Sequence, residues 1–179
     1  MFETIINQYK SIPNWQIGIE VIIFITGIWS VYLAKKANIL VYPIGIITTI
    51  LSVYIMFNAK YFADMSINIY YTIMSFYGWY VWKKGNNSEE LVISKINSKD
   101  KIIGLILFII TAVVCVLIYQ IFDYKLQINN YLDIFTTSLF FTAMWYFARK
   151  KIENWLLWII GDIIVVYLFF DRQLYIIAI

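Results

Sequence analysis

The chain has 179 residues, of which 62% are hydrophobic, 20% aromatic and only 14% charged. A soluble domain carries about 25% charged and about 45–50% apolar residues. With a mean hydropathy of +0.74, too little polar side chain remains to cover a globule, so the composition describes an integral membrane protein rather than a soluble enzyme.

Missing residue types narrow the chemistry. There is no histidine, which removes the usual proton shuttle near neutral pH and the commonest metal ligand. The single cysteine, Cys115, allows neither an internal disulfide nor a Cys/His metal centre. It sits in an apolar run, where it reads as a small hydrophobe. The net charge of +3 is spread over loops, so nothing points to nucleic acid. No glycine-rich phosphate loop occurs, and neither a nucleotide-driven pump nor a cofactor is expected. The opening stretch MFETIINQYKSIPNW is polar and lacks the basic-then-apolar order of a cleaved signal peptide. The first apolar run is therefore expected to stay in the mature protein.

A helix needs about 20 mostly apolar residues to cross the hydrocarbon core. In chain order the candidates are Trp15–Leu33, Ile39–Phe57, Tyr61–Trp82, Ile102–Phe122, Tyr131–Phe147 and Trp155–Phe170. None alternates apolar and polar residues as barrel strands do, so the fold class is all-α. Between the third and fourth lies the long polar stretch KKGNNSEELVISKINSKDK, which reads as a linker. The loops after the first, third and fifth helices hold Lys35, Lys36, Lys83, Lys84, Lys95, Lys99, Lys101, Arg149, Lys150 and Lys151. The other side has Lys10, Lys60, Lys125 and Arg172, so ten of the fourteen basic residues share one face. Basic loops stay in the cytoplasm, which predicts an outward N-terminus.

Transporters often carry internal symmetry. A shift of 113 residues lays YPIGIITTILSVYIMFN, from Tyr42, on WLLWIIGDIIVVYLFFD, from Trp155, without a gap. Upstream, GIWSVYLAKK and TAMWYFARKK share a tryptophan, an alanine and a basic end, with a small shift in register. Parallel repeats with one linking helix give a 3+1+3 arrangement: a first repeat over 1–84, a linker and linker helix over 85–125, and a second repeat over 126–179. The second copy ends at the counterpart of Ser66 (179 − 113 = 66), and QLYIIAI reads as the start of a seventh helix, so a truncated end is expected. A chain without that wall is expected to recruit the rest of its own sequence or a second copy, as an oligomer.

Polar groups inside membrane helices are costly and tend to line substrate paths. Trp155, Trp158 and Asp162 are spaced i, i+3, i+7 and share one helical face. Two indoles beside a carboxylate suit a flat cation; the alternative is interfacial tryptophans with a structurally paired aspartate. Asn68, Tyr71 and Ser75 repeat that spacing on the third helix, where contact with a solute competes with helix-to-helix hydrogen bonding. Thr49, the repeat partner of Asp162, is a weaker candidate, because hydroxyls commonly bond back to their own helix. Trp79, Tyr80 and Trp82, beside Lys83 and Lys84, read as an interfacial belt.

The strings YFADMSINIYYTIMSFYGWYVWKK and KKIENWLLWIIGDIIVVYLFF resemble the PnuC family of bacterial vitamin transporters, from about Gly18 to the end of the chain. The resemblance implies 3+1+3 helices related to the SWEET sugar transporters, in the bacterial inner membrane. It also implies facilitated diffusion of a B-vitamin, chiefly nicotinamide riboside, with trapping by a separate cytoplasmic kinase. Substrate would contact the third and sixth helices at Asn68, Tyr71, Ser75, Trp155, Trp158 and Asp162. Some nicotinamide riboside members have glutamine in place of Ser75 and asparagine in place of Asp162, and relatives carry thiamine or riboflavin. The competing classes are a membrane enzyme, for which nucleophile and base are lacking, and a non-transporting assembly subunit.

Overall fold

In hydrocarbon a backbone must satisfy its own hydrogen bonds, and each of the six apolar runs does so as a helix. The computed structural model describes residues 13–58, 62–85, 91–121 and 127–171, the side chains of 62–64 and 169–171 excepted. The helices are α1 (Asn14–Lys35), α2 (Val41–Asn58), α3 (Phe62–Lys84), α4 (Ser98–Ile121), α5 (Ile128–Ala148) and α6 (Asn154–Asp171). Their ends lie within one to four residues of the expected spans. Lys10, Lys60, Lys125, Arg172 and the QLYIIAI segment fall outside the described residues.

The largest difference is at the start of α4, which begins at Ser98 rather than Ile102. Asn97 and Asp100 form a capping box there: the Asp100 amide donates to Asn97 Oδ1 at 2.8 Å, and the Asn97 amide donates to Asp100 Oδ2 at 3.1 Å. Two otherwise orphaned amides are satisfied, and one polar turn joins the apolar helix. At their other ends α1 and α5 close with the chain reversing through a left-handed residue, Ala37 (φ 49°) and Lys150 (φ 51°).

The chain divides into two units, Met1–Glu90 and Leu91–Ile179. In the first, α2 packs against both α1 and α3. Tyr42 is buried at the start of α2, edge-on to Trp82 with ring centroids 4.9 Å apart, and a side chain at Gly78 would run into its ring. Trp82 is therefore a packing residue, not part of the exposed belt. Trp79 and Tyr80 are exposed, and Lys84 Nζ lies 5.6 Å from the Tyr80 ring centre. Hydroxyl pairs join the helices: Thr48 to Thr26 at 2.8 Å and Thr72 to Thr49 at 2.7 Å.

In the second unit α5 is the middle helix, packed on α4 and α6. Gly104 of α4 leaves room for the Tyr146 ring, and Gly161 of α6 for Phe140. Such small residues let apolar helices approach where lipid offers no hydrophobic driving force.

By length and composition α1, α2 and α4 are each able to cross a membrane, and Asn154–Leu168 is a shorter apolar helix. α3 and α5, with 23 and 21 residues, have the length but carry more polar side chains. On α5 these are turned inward: Thr136, Ser138 and Thr142 are buried and donate to carbonyls one turn back, at 3.0, 2.7 and 2.9 Å. Meanwhile Phe24, Ile28 and Val31 on α1 and Leu105 and Ile109 on α4 are exposed, as lipid-facing residues would be.

Candidate functional site

The face of α6 that the spacing singles out is held by α5. Trp158 is half-buried, and its ring stacks on Phe140 with centroids 5.0 Å apart and planes 25° apart. Phe140 reaches this position because Gly161 has no side chain to obstruct it. Trp155, 38% exposed, and Asp162, also exposed, remain open on the same helix. One indole is thus fixed in orientation, a second lies a turn away, and a carboxylate follows. A flat cation gains attraction from each ring face and from the carboxylate.

On α3, Asn68 and Tyr71 are half-buried, and the Tyr71 ring leans on Tyr70 with centroids 5.8 Å apart. Ser75 is buried at 4% exposure. It faces the α2 backbone, where a side chain at Gly45 would come within 3.9 Å of its hydroxyl and 3.4 Å of the Ser30 hydroxyl. Thr49 is half-buried on α2, with the Thr72 hydroxyl 2.7 Å away. Thr72 also donates to the Asn68 carbonyl at 2.8 Å. Thr49, Thr72 and Asn68 therefore lie together within the first unit. Spacing does not single out Thr72. Its signal was weak: a threonine four residues after Asn68, which mid-helix usually means only a bond to its own backbone.

Residues 17–179 match the family model described as nicotinamide mononucleotide transporter. The chain belongs to that transporter family. Among curated proteins it is 27% identical to the nicotinamide riboside transporter PnuC of Escherichia coli strain K12, across 88% of this chain and 76% of the relative. The same figures hold for the PnuC protein of Shigella flexneri. Among solved structures, the crystal structure of the vitamin B3 transporter PnuC superposes with a TM-score of 0.67 at 20% identity. It covers 88% of this chain and 71% of that one. This likeness establishes the fold, and the resemblance read from the GWYVW and WLLWIIGD strings agrees with the family match.

Proposed function

We propose that the chain carries nicotinamide riboside across the membrane by facilitated diffusion. The observation that carries this reading is the family match over residues 17–179, joined to an α6 face suited to a planar cation. The pyridinium ring of nicotinamide riboside is flat and positive. Trp158, braced by Phe140, presents a pre-oriented π surface, Trp155 a second one, and Asp162 the counter-ion. Within the first unit, Asn68 and Tyr71 offer an amide and a hydroxyl of the kind a ribose binds, whereas Ser75 is buried against the α2 backbone and Thr49 lies against the Thr72 hydroxyl. In this reading the helices follow a 3+1+3 plan in the bacterial inner membrane, with the N-terminus outside. Transport runs downhill, and a cytoplasmic kinase draws it inward by phosphorylating the vitamin.

Thiamine transport is the second reading, favoured by the same carboxylate because the thiazolium ring of thiamine is also a flat cation. Riboflavin is neutral and leaves Asp162 without a counter-charge. Uptake of labelled nicotinamide riboside into proteoliposomes, with thiamine and riboflavin as competitors, tests the reading. Saturable uptake that thiamine competes weakly is expected. Uptake of thiamine alone would transfer the function to the second reading, and no uptake of any of the three would leave an assembly subunit.

A further inference from the structure

The segment that follows α3 is bonded to the turn between α5 and α6. Ser94 pairs with that turn as a single parallel bridge: its amide donates to the Lys150 carbonyl at 3.1 Å, and its carbonyl accepts from the Ile152 amide at 3.0 Å. Lys151 Nζ lies 2.9 Å from the Asp100 carboxylate, 3.1 Å from Ser94 Oγ and 3.3 Å from the Lys95 carbonyl. Three acceptors thus match the three protons of its ammonium. Asp100, 4% exposed, takes the Asn97 amide as well. Two residues beyond Lys151, the Glu153 carboxylate accepts from the Ile96 amide at 3.0 Å. The Asn154 side chain then donates to the Lys151 carbonyl.

A buried ion pair offsets its desolvation only when neighbouring groups satisfy the remaining donors and acceptors, and removing one partner strands the other charge. Here the neighbours are present, and they belong to the linker. The network ends one residue before Trp155, so the turn it holds is the one that launches the α6 face. A shift of one residue in an α-helix rotates a side chain by about 100°, so the pose of this turn decides where Trp155, Trp158 and Asp162 point.

We propose that the Asp100–Lys151 pair and its linker partners form a clip that sets the pose of α6, making Lys151 and Glu153 positioning residues for substrate binding. The positioning role rests on α6 being the substrate helix, as argued above; the clip itself does not. Lys151 is the better handle, because Asp100 also caps α4. The test uses the full chain in nanodiscs, comparing wild type with Lys151→Met, Lys151→Arg and Glu153→Ala. Hydrogen exchange and the KM and maximal rate of nicotinamide riboside transport are measured for each. Lys151→Met should speed exchange in 91–97 and in the first turns of α6 by about tenfold or more. It should raise KM more than it lowers the maximal rate, and Lys151→Arg should restore both. Glu153→Ala should act in the same direction more weakly, and it carries the test if the methionine variant does not fold. A freed linker with unchanged exchange in α6 would overturn the clip. A loosened α6 with unchanged KM would overturn the positioning role. If the wild type transports no nicotinamide riboside, the functional reading falls while the exchange data still decide the clip.

Discussion

Ala37 and Lys150 are 113 residues apart (150 − 37 = 113) and hold the same left-handed conformation, with φ of 49° and 51°. Each closes its helix with the same two bonds. The Ala37 amide donates to the Ala34 carbonyl and the Asn38 amide to Leu33, at 3.0 Å each. The Lys150 amide donates to Phe147 and the Lys151 amide to Tyr146, at 2.9 Å each. This is the Schellman closure, in which glycine is the usual left-handed residue. The offset also carries α2 onto α6 from end to end, since 41 + 113 = 154 and 58 + 113 = 171. The letters shared by GIWSVYLAKK and TAMWYFARKK sit one to three residues off this offset, whereas the backbone follows it. The helix ends and their closures thus coincide at this offset, where those matching letters do not.

A residue with a β-carbon in this conformation carries strain of roughly 1–2 kcal/mol. Ala37→Gly is expected to stabilise the chain by about 0.5–1 kcal/mol, the relief exceeding the entropy that glycine adds to the unfolded state. Ala37→Val should destabilise it by at least as much, because a branched side chain fits the left-handed region worst. Thermal unfolding in mild detergent gives both signs. Equal melting temperatures for the glycine and valine variants would show that the turn stores no strain.

The Thr49–Thr72 contact at 2.7 Å links α2 to α3 beside the Asn68 carbonyl. Interhelical hydrogen bonds in membranes average about 0.6 kcal/mol in double-mutant cycles, with a maximum of about 1.7. Thr49→Val and Thr72→Val should be coupled in stability within that range. If Thr49 also touches substrate, its variant raises the transport KM by more than the Thr72 variant does. Equal effects on KM would assign both hydroxyls to packing alone.

The spans were legible because run length and hydropathy survive without knowledge of tertiary contacts, as the ends of α2 and α6 show. What escaped depends on residues far apart in sequence. Lys151 and Asp100 form an ion pair that no periodicity links, and the Asn97–Asp100 box lies in a polar stretch whose composition signals only a linker. From its lysine neighbours alone, Trp82 belongs in an interfacial belt. Its inward turn follows from Tyr42, forty residues earlier, fitting beside Gly78. The α6 face was legible as a spacing, but the brace that Phe140 gives Trp158 was not, because it needs a glycine and an aromatic ring on different helices.

Orientation rests on the bias of basic residues, and Lys84 offers a clean reporter at the exposed end of α3. In a Cys115→Ser background, Lys84→Cys should resist an impermeant thiol reagent in intact cells and react after permeabilisation. Trp15→Cys, at the exposed start of α1, should react in intact cells. The reverse pattern would place the N-terminus inside and invert the topology.

Asp162 separates the demands of stability from those of transport. An aspartate near the centre of a membrane helix costs about 2.5–3.5 kcal/mol on insertion scales, and its neutral analogue avoids the part of that cost that comes from charge. Asp162→Asn should therefore raise the melting temperature. It should also weaken binding of cationic nicotinamide riboside by about tenfold, or about 1.4 kcal/mol, if the carboxylate is the counter-ion. The reduced, uncharged dihydronicotinamide riboside has the same ribose and a similar ring, so its weaker binding should be unchanged by the substitution. Equal losses for both ligands would make Asp162 a hydrogen-bond acceptor rather than a counter-ion. A stabilised variant with unchanged affinity for both would place the substrate away from this face of α6.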